Sequence, residues 1–262
     1  TWLTCMIEFC LLSKTIYMTL AFIHIGKTGG TTINHHLLHS EIKNYKMYHH
    51  DKNYQDDEKY IIWLRNPINR YVSAFNHSYY GINTNVKTIK SFDLDNCLIP
   101  MRMKDSMNKE WVFTKTYDAL MRKFKNANDL AESLSSDNIE LQRLGKELMM
   151  RQEEHLHKGI GWYLENGKFV KEKLNNIIFV GTLENMRGDI EQLSNVLQIK
   201  LNNELRLREN VYVDKSMKYL SPLAIKNIID WYRDTDYAAL QELLNHGLIT
   251  QQIFSSYLIY NE

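Results

Sequence analysis

Phe22-Ile23-His24-Ile25-Gly26-Lys27-Thr28-Gly29-Gly30-Thr31-Thr32 is a short apolar strand that runs into a Lys-Thr-Gly-Gly-Thr-Thr turn, with a helix-like pattern after it. A junction of this composition builds an anion site. Glycine lets the backbone come close to a ligand. The N–H groups at a helix start point outward and favour negative charge. Lys27 adds a mobile point charge, and the threonines add hydroxyl donors. The expected ligand is a phosphate or sulfate ester, with a nucleotide as its natural carrier.

The turn is not a Walker A loop. That motif is Gly-x-x-x-x-Gly-Lys-Ser/Thr. Gly26-Lys27-Thr28 fits its end, but Ala21 stands where the first glycine belongs, and Phe22 to Ile25 read as strand. The glycines follow the lysine, so the lysine sits at the mouth of a short loop. The bland alternative is a strand–turn–helix junction that merely contains Gly-Gly.

Working outward, Tyr60-Ile61-Ile62-Trp63-Leu64-Arg65 is an apolar run ending in a charge. A strand buried on both faces has this composition. Asn66-Pro67 then supplies an N-cap residue and a proline at the first helical position. The helix is expected to continue through Phe75 and stop near Gly81. Arg65 therefore falls at the carboxyl end of a strand, where open α/β sheets bind ligands. Ser73 lies about two turns into the helix. An arginine and a serine suit a phosphate: the guanidinium binds bidentately and the hydroxyl adds one bond.

These two segments resemble the 5′-phosphosulfate loop and the 3′-phosphate-binding segment of sulfotransferases that use 3′-phosphoadenosine 5′-phosphosulfate (PAPS). The likeness is to the carbohydrate branch, which includes the heparan sulfate 2-O- and 6-O-sulfotransferases. Gly26 departs from it, because the family usually has proline there. The resemblance implies a P-loop-like three-layer α/β sandwich with a central, mostly parallel sheet. It also implies roles. Lys27 would contact the bridging oxygen of the sulfate and steady the leaving phosphate. Thr28, Gly29, Gly30, Thr31 and Thr32 would cradle the 5′-phosphate, and Arg65 with Ser73 would hold the 3′-phosphate. Catalysis of such an in-line displacement rests on positioning and fixed positive charge. No metal is expected.

The acceptor hydroxyl needs a base. Tyr48-His49-His50-Asp51 lies between the two motifs. Histidine titrates near neutral pH, and a carboxylate such as Asp51 can orient an imidazole. The carbohydrate branch carries its catalytic histidine in this interval. His49-x-Asp51 resembles the His-x-Asp of the 6-O branch, which favours His49 over His50. The alternative is a solvated polar loop, since Lys46, Lys52, Asn53, Asp56 and Asp57 surround the pair. His24 reads as a structural histidine. His35, His36 and His39 read as helix surface or core edge.

A third strand is expected at Asn176–Gly181, followed by Thr182-Leu183-Glu184-Asn185-Met186 and a helix carrying Ile190, Leu193, Val196 and Leu197. This resembles the family's strand–Gly–x–x–Glu segment, with Glu184 either anchoring the sheet end or lining the acceptor pocket. Ser221-Pro222 starts a last helix with Leu223, Ile225, Ile228, Ile229 and Tyr232, ending near Asp236-Tyr237. In the family a basic, serine-containing loop precedes this helix and closes over the nucleotide. Lys215, Ser216 and Lys218 are the matching candidates, and a solvated loop is the alternative.

The chain of 262 residues is 44% hydrophobic, enough for one sizeable α/β domain. Lys and Arg number 32 against 31 Asp and Glu, which argues against broad nucleic-acid binding. Three cysteines, Cys5, Cys10 and Cys97, do not suggest a disulfide framework. No His/Cys spacing fits zinc. Trp2 to Tyr17 is apolar but interrupted by Glu8 and Lys14, so no clear membrane span is read. The resemblance implies the Golgi lumen, and the lack of a visible anchor leaves the cytoplasm open. Met18 is a possible natural start.

The expected organisation is one domain over 1–262. Residues 18–81 and 176–262 form the nucleotide-binding core, and 82–175 form a mainly helical insertion on the acceptor side. Within that insertion 115–134 and 138–157 read as helices, the second with a capping-box-like start at Asp137 and Glu140. Trp162 and Tyr163, with His155 and His157, offer rings that can stack on sugars or fill a core. Arg122, Lys123 and Lys125 read as a solvated face. Two activities compete. One is a PAPS-dependent sulfotransferase acting on a hydroxyl of an oligosaccharide or other glycan. The other is an ATP-dependent small-molecule kinase with a diverged P-loop. The Arg65–Ser73 pair favours the first, because a kinase would want a carboxylate at a strand end for magnesium.

Overall fold

The computed structural model describes residues 19–86, 101–104, 110–113, 115–152, 155–201 and 215–260. In chain order its elements are β1 (Thr19–Ile23), α1 (Gly30–Leu38), β2 (Tyr45–Tyr48), β3 (Glu58–Leu64), α2 (Pro67–Val86), β4 (Met101–Lys104) and β5 (Glu110–Phe113). They continue with α3 (Lys115–Met121), α4 (Ala127–Ser133), α5 (Ile139–Met150), α6 (Ile160–Tyr163), α7 (Lys168–Lys173), β6 (Ile177–Thr182) and α8 (Met186–Leu197). The last are α9 (Pro222–Tyr232), α10 (Ala238–Asn245) and α11 (Gln251–Ser256). The described residues fall into two compact units. One comprises those of Thr1–Asn66, Ile160–Asn210 and Asp234–Tyr257. The other comprises those of Pro67–Gly159, Val211–Arg233 and Leu258–Glu262.

The first unit holds a four-stranded sheet in the order β2-β1-β3-β6, parallel throughout. The two central strands are the apolar runs. From Ala21 to Ile23 and from Tyr60 to Leu64 the residues are fully buried, as a strand covered on both faces must be. Phe22 pairs with Met47 on one side and Ile61 on the other. Edge strands β2 and β6 are only partly buried. One face of the sheet packs Leu20, Phe22, Ile61 and Trp63 against Ile33 and Leu37 of α1 and Met186, Ile190 and Leu193 of α8. On the other face the Tyr60 ring meets Phe169 of α7 at 5.1 Å. Helices on both faces make this an α/β sandwich, as the sequence predicts.

Glu58, at the start of β3, organises that second face. Its Oε2 accepts from the phenols of Tyr48 at 2.7 Å and Tyr60 at 2.9 Å. Its Oε1 accepts from Lys46 Nζ at 3.2 Å. Burial alone would raise this carboxyl, but the hydrogen bonds of Tyr48, Tyr60, the Gln55 N–H and Lys46 outweigh it and hold the group below its usual range.

In the second unit α2, α4 and α9 pack together. Tyr71 donates to Ala127 O at 2.8 Å, and Asn227 Nδ2 donates to Ala131 O at 3.0 Å. Ser221 caps α9 through Ala224 N at 3.1 Å, with Pro222 next, as its sequence indicates. Arg70 is fully buried and donates from Nη1 to His155 O at 2.9 Å.

Several expectations needed correcting. The edge strand β2 was not foreseen, because Tyr-Lys-Met-Tyr is too short and too mixed in polarity to stand out. The first long helix passes Gly81 and runs to Val86. Within 82–175 the chain also pairs β4 with β5 as an antiparallel ribbon. The helix expected over 115–134 is two helices. The second of them restarts where Asn126 Oδ1 accepts from Asp129 N at 2.8 Å. The helix expected over 138–157 ends at Met150, and Asn138 rather than Asp137 caps it. Ile139, in its first turn, is exposed. After α9 the backbone continues through a π-helical turn at Arg233–Tyr237 into α10 instead of ending.

Among the described residues no helix is long and apolar enough to cross a membrane. Cys5, Cys10, Cys97 and the apolar run Trp2–Tyr17 lie outside them, as do Met18 and Asn210–Asp214.

Candidate active site

β1 is flanked by β2 on one side and β3 on the other, so the strand order reverses at its carboxyl end. At such a switch point the connections leave in opposite directions and open a crevice. The loop Lys27–Gly29 leaves β1 there, and Arg65 follows β3. The structure joins them: Arg65 Nη1 donates to Lys27 O at 3.1 Å. Both residues from the two sequence motifs thus share one place in the first unit.

The loop has a special backbone. Lys27 has φ 71° and Gly29 φ 84°. The left-handed region is strained for a lysine, and such strain collects at binding sites. Gly29 takes the N-cap place of α1 with no side-chain cap, and no acidic residue stands in the first turn. Outward N–H groups in a first turn without an acidic residue fit an anionic oxygen group. Thr28 differs from the expectation of a hydroxyl ligand. It is fully buried, and its Oγ1 donates to Ile25 O at 2.9 Å, so it braces the loop from beneath. Thr32 is also buried, with its N–H on Gly29 O at 3.0 Å. Thr31 is half-buried.

His49 leaves the end of β2 and stacks on His24 with ring centroids 4.5 Å apart. Its Nδ1 lies 3.0 Å from His24 O. A carbonyl only accepts, so Nδ1 carries the hydrogen, and in the neutral ring Nε2 then carries the lone pair. That is the tautomer a general base needs. The hydrogen bond that orients His49 therefore comes from His24, whereas Asp51 Oδ1 accepts from Asn53 N at 2.9 Å and closes its own turn. His50 is exposed, with its ring 4.0 Å from that of His49.

Glu184, after β6, anchors the sheet end. Its Oε1 accepts from Asn66 N at 2.9 Å, and its Oε2 accepts from Tyr257 OH at 3.1 Å. Burial, and secondarily the Glu184 charge, pushes the Tyr257 phenol well above its ordinary value. Asn66 Nδ2 in turn donates to Ser256 O at 3.2 Å. Trp162 lies in the same unit, with Lys52 Nζ 3.8 Å from its ring centre. Burial, partly opposed by the Glu165 charge, lowers the Lys52 ammonium below its usual value.

The remaining candidates lie in the second unit. Ser73 is buried on α2. Lys215, Ser216 and Lys218 form a 3₁₀ turn, in which Ser216 and Lys218 are exposed. Arg122, Lys123 and Lys125 are exposed. His155 and His157 belong to this unit, whereas Trp162 and Tyr163 belong to the first. Sequence reasoning gave no role to His24 as a partner of His49. The available signal was its place directly after β1. Among the described residues no group of three His, Cys, Asp or Glu is arranged to hold a metal.

Neither a protein-family model nor a curated protein matches this chain.

Proposed function

We propose that the chain is a PAPS-dependent sulfotransferase acting on a hydroxyl group of a carbohydrate. The observation that carries the reading is the Arg65–Lys27 contact at 3.1 Å, which draws two anion-binding segments together at the switch point of a parallel sheet. The uncapped start of α1 and the left-handed Lys27 support it.

PAPS, when bound, supplies the sulfuryl group and leaves its bonding electron pair on the 5′-phosphate. Lys27 and the N–H groups of Gly29, Gly30 and Thr31 set fixed positive charge beside that phosphate. Arg65 offers a planar fork for the 3′-phosphate. His49 Nε2 takes the proton of the acceptor hydroxyl, and the His24 carbonyl steadies the imidazolium through Nδ1–H. Ser73, Lys215, Ser216 and Lys218 are assigned to the nucleotide by the sequence resemblance alone. The compartment implied by that resemblance is the Golgi lumen.

The test is a thermal-shift titration with adenosine 3′,5′-bisphosphate against ATP plus magnesium. A ligand selective for the native state at about a hundred times its Kd stabilises by roughly 2.7 kcal/mol. A shift with the bisphosphate alone supports the reading. A shift with ATP alone overturns it in favour of a kinase.

A further inference from the structure

His24 stands between the anion loop and the base. On one face its ring stacks on His49, with centroids 4.5 Å apart and planes inclined by 25°. It also lies 5.7 Å from the Phe22 ring at 17°. Its edge abuts the first residue of α1: a Cβ on Gly30 would fall 2.0 Å from His24 Cδ2 and 2.5 Å from Nε2. Its carbonyl receives the His49 Nδ1 hydrogen at 3.0 Å. One residue thus touches the helix start with its edge and the imidazole of His49 with both ring face and backbone.

We propose that His24 is a positioning residue that couples the anion loop to the base. Its ring, wedged between Gly30 and His49, sets where the His49 Nε2 lone pair points, and its carbonyl holds that imidazole as the Nδ1–H tautomer. The inference deepens the sulfotransferase reading and rests on His49 being the base. Free histidine in water favours the Nε2–H form, so the opposite tautomer has to be imposed by the fold. The wedge also explains why glycine is needed at position 30: any side chain there would push the His24 ring into His49.

Titratable groups facing His49 are His24 from the end of β1, His50 from its own loop at 4.0 Å, and Tyr163 from α6 at 6.3 Å. A flat, uncharged ring in place of His24 should keep the stack on His49.

The experiment compares His24→Phe and His24→Ala in the full chain. Long-range ¹H–¹⁵N NMR of the histidine rings reads the tautomer of His49, and turnover and bisphosphate binding are measured beside it. His24→Phe, which keeps a ring in the wedge and the same carbonyl, should keep the Nδ1–H tautomer and lose much less turnover than His24→Ala. His24→Ala keeps the carbonyl and with it the Nδ1–H tautomer, but it lets the imidazole turn and should lower kcat by roughly 10- to 100-fold, as a misplaced base does. Its KM for the donor and its bisphosphate affinity should stay within about 3-fold.

An unchanged kcat in His24→Ala would overturn the proposal, and so would a His49 ring in the Nε2–H form in the parent chain. So would kcat and bisphosphate affinity falling together, which marks a merely structural role. If His24→Ala does not fold, the Nδ1–H form of His49 in the parent and in His24→Phe supports the proposal, and the Nε2–H form in the parent overturns it. The tautomer readout needs no activity. Absence of bisphosphate binding in the parent chain would therefore fell the sulfotransferase reading while leaving the role of His24 to be decided by NMR.

Discussion

Arg65 Nη1 donates to the carbonyl oxygen of Lys27 at 3.1 Å, which ties the residue after β3 to the loop after β1. The bond uses one donor of a five-donor guanidinium. A guanidinium is a planar fork suited to a phosphate. If it reads the 3′-phosphate, Arg65→Ala should raise the Kd for adenosine 3′,5′-bisphosphate by roughly 10- to 100-fold, the worth of a charge-assisted hydrogen bond or two. AMP, which lacks that phosphate, should lose much less. Calorimetry with both ligands checks this, and equal losses would remove Arg65 from the 3′-phosphate.

Lys27 adopts φ 71°, a conformation that costs a non-glycine residue about 1–2 kcal/mol. Lys27→Ala and Lys27→Gly should both lower kcat by at least about 100-fold, because each removes the charge beside the leaving group. They should separate in stability. The glycine variant should be at least as stable as the alanine variant, since it relieves the left-handed strain. Turnover assays and thermal melts give both answers. Unchanged turnover in either variant would remove Lys27 from the chemistry.

Gly30→Ala places a methyl 2.0 Å from the His24 ring. An overpacked site loses typically 1–3 kcal/mol. In a His24→Ala background the space exists, so the same substitution should be nearly neutral. A double-mutant cycle measured by chemical denaturation should return a coupling of about 1 kcal/mol or more. Additive effects would show that the two residues do not meet.

Glu58 predicts an acid limb of stability. Its carboxyl is held below the usual range in the folded state, so its contribution is complete above the unfolded carboxylate range near 4.3 and is lost as pH falls through the lower folded value. Glu58→Gln should destabilise the chain at pH 7 by about 1–3 kcal/mol, the cost of unsatisfied buried hydroxyls. It should also flatten the pH dependence of unfolding between about pH 5 and 3. Urea midpoints across that range test it. A variant with the parent's slope would show that other carboxylates set the acid limb.

Glu184 accepts from Asn66 N and Tyr257 OH. Glu184→Ala should cost roughly 1–3 kcal/mol, while Glu184→Gln, which keeps an acceptor, should recover most of it. The comparison of their melting temperatures separates an anchoring carboxylate from a dispensable surface one.

The central strands were legible because burial on both faces demands unbroken apolar composition, which Leu20–Ile23 and Tyr60–Leu64 display. The edge strand Tyr45–Tyr48 was not. Its Lys46 and half-buried residues follow from a single neighbouring strand, and neighbours are not written in local composition. Asn138 capping α5 in place of Asp137 is a one-residue choice between two good caps, decided by which side chain reaches Glu140 N and Leu141 N. The hydroxyl of Thr28 was expected at the ligand, but it turned inward because the carbonyl of Ile25 needed a donor in a dry place.

By itself the sequence determined a parallel α/β architecture and two segments with the residue types of an anion site. Those properties reside in short windows: apolar runs, glycines after a lysine, a proline at a helix start. Only the tertiary structure decided that Lys27 and Arg65 meet, that His24 rather than Asp51 orients His49, and that Gly30 is small because His24 lies against it. Each of these is a contact between segments brought together by strand order and sheet register. Local composition carries no information about such contacts until the chain is folded.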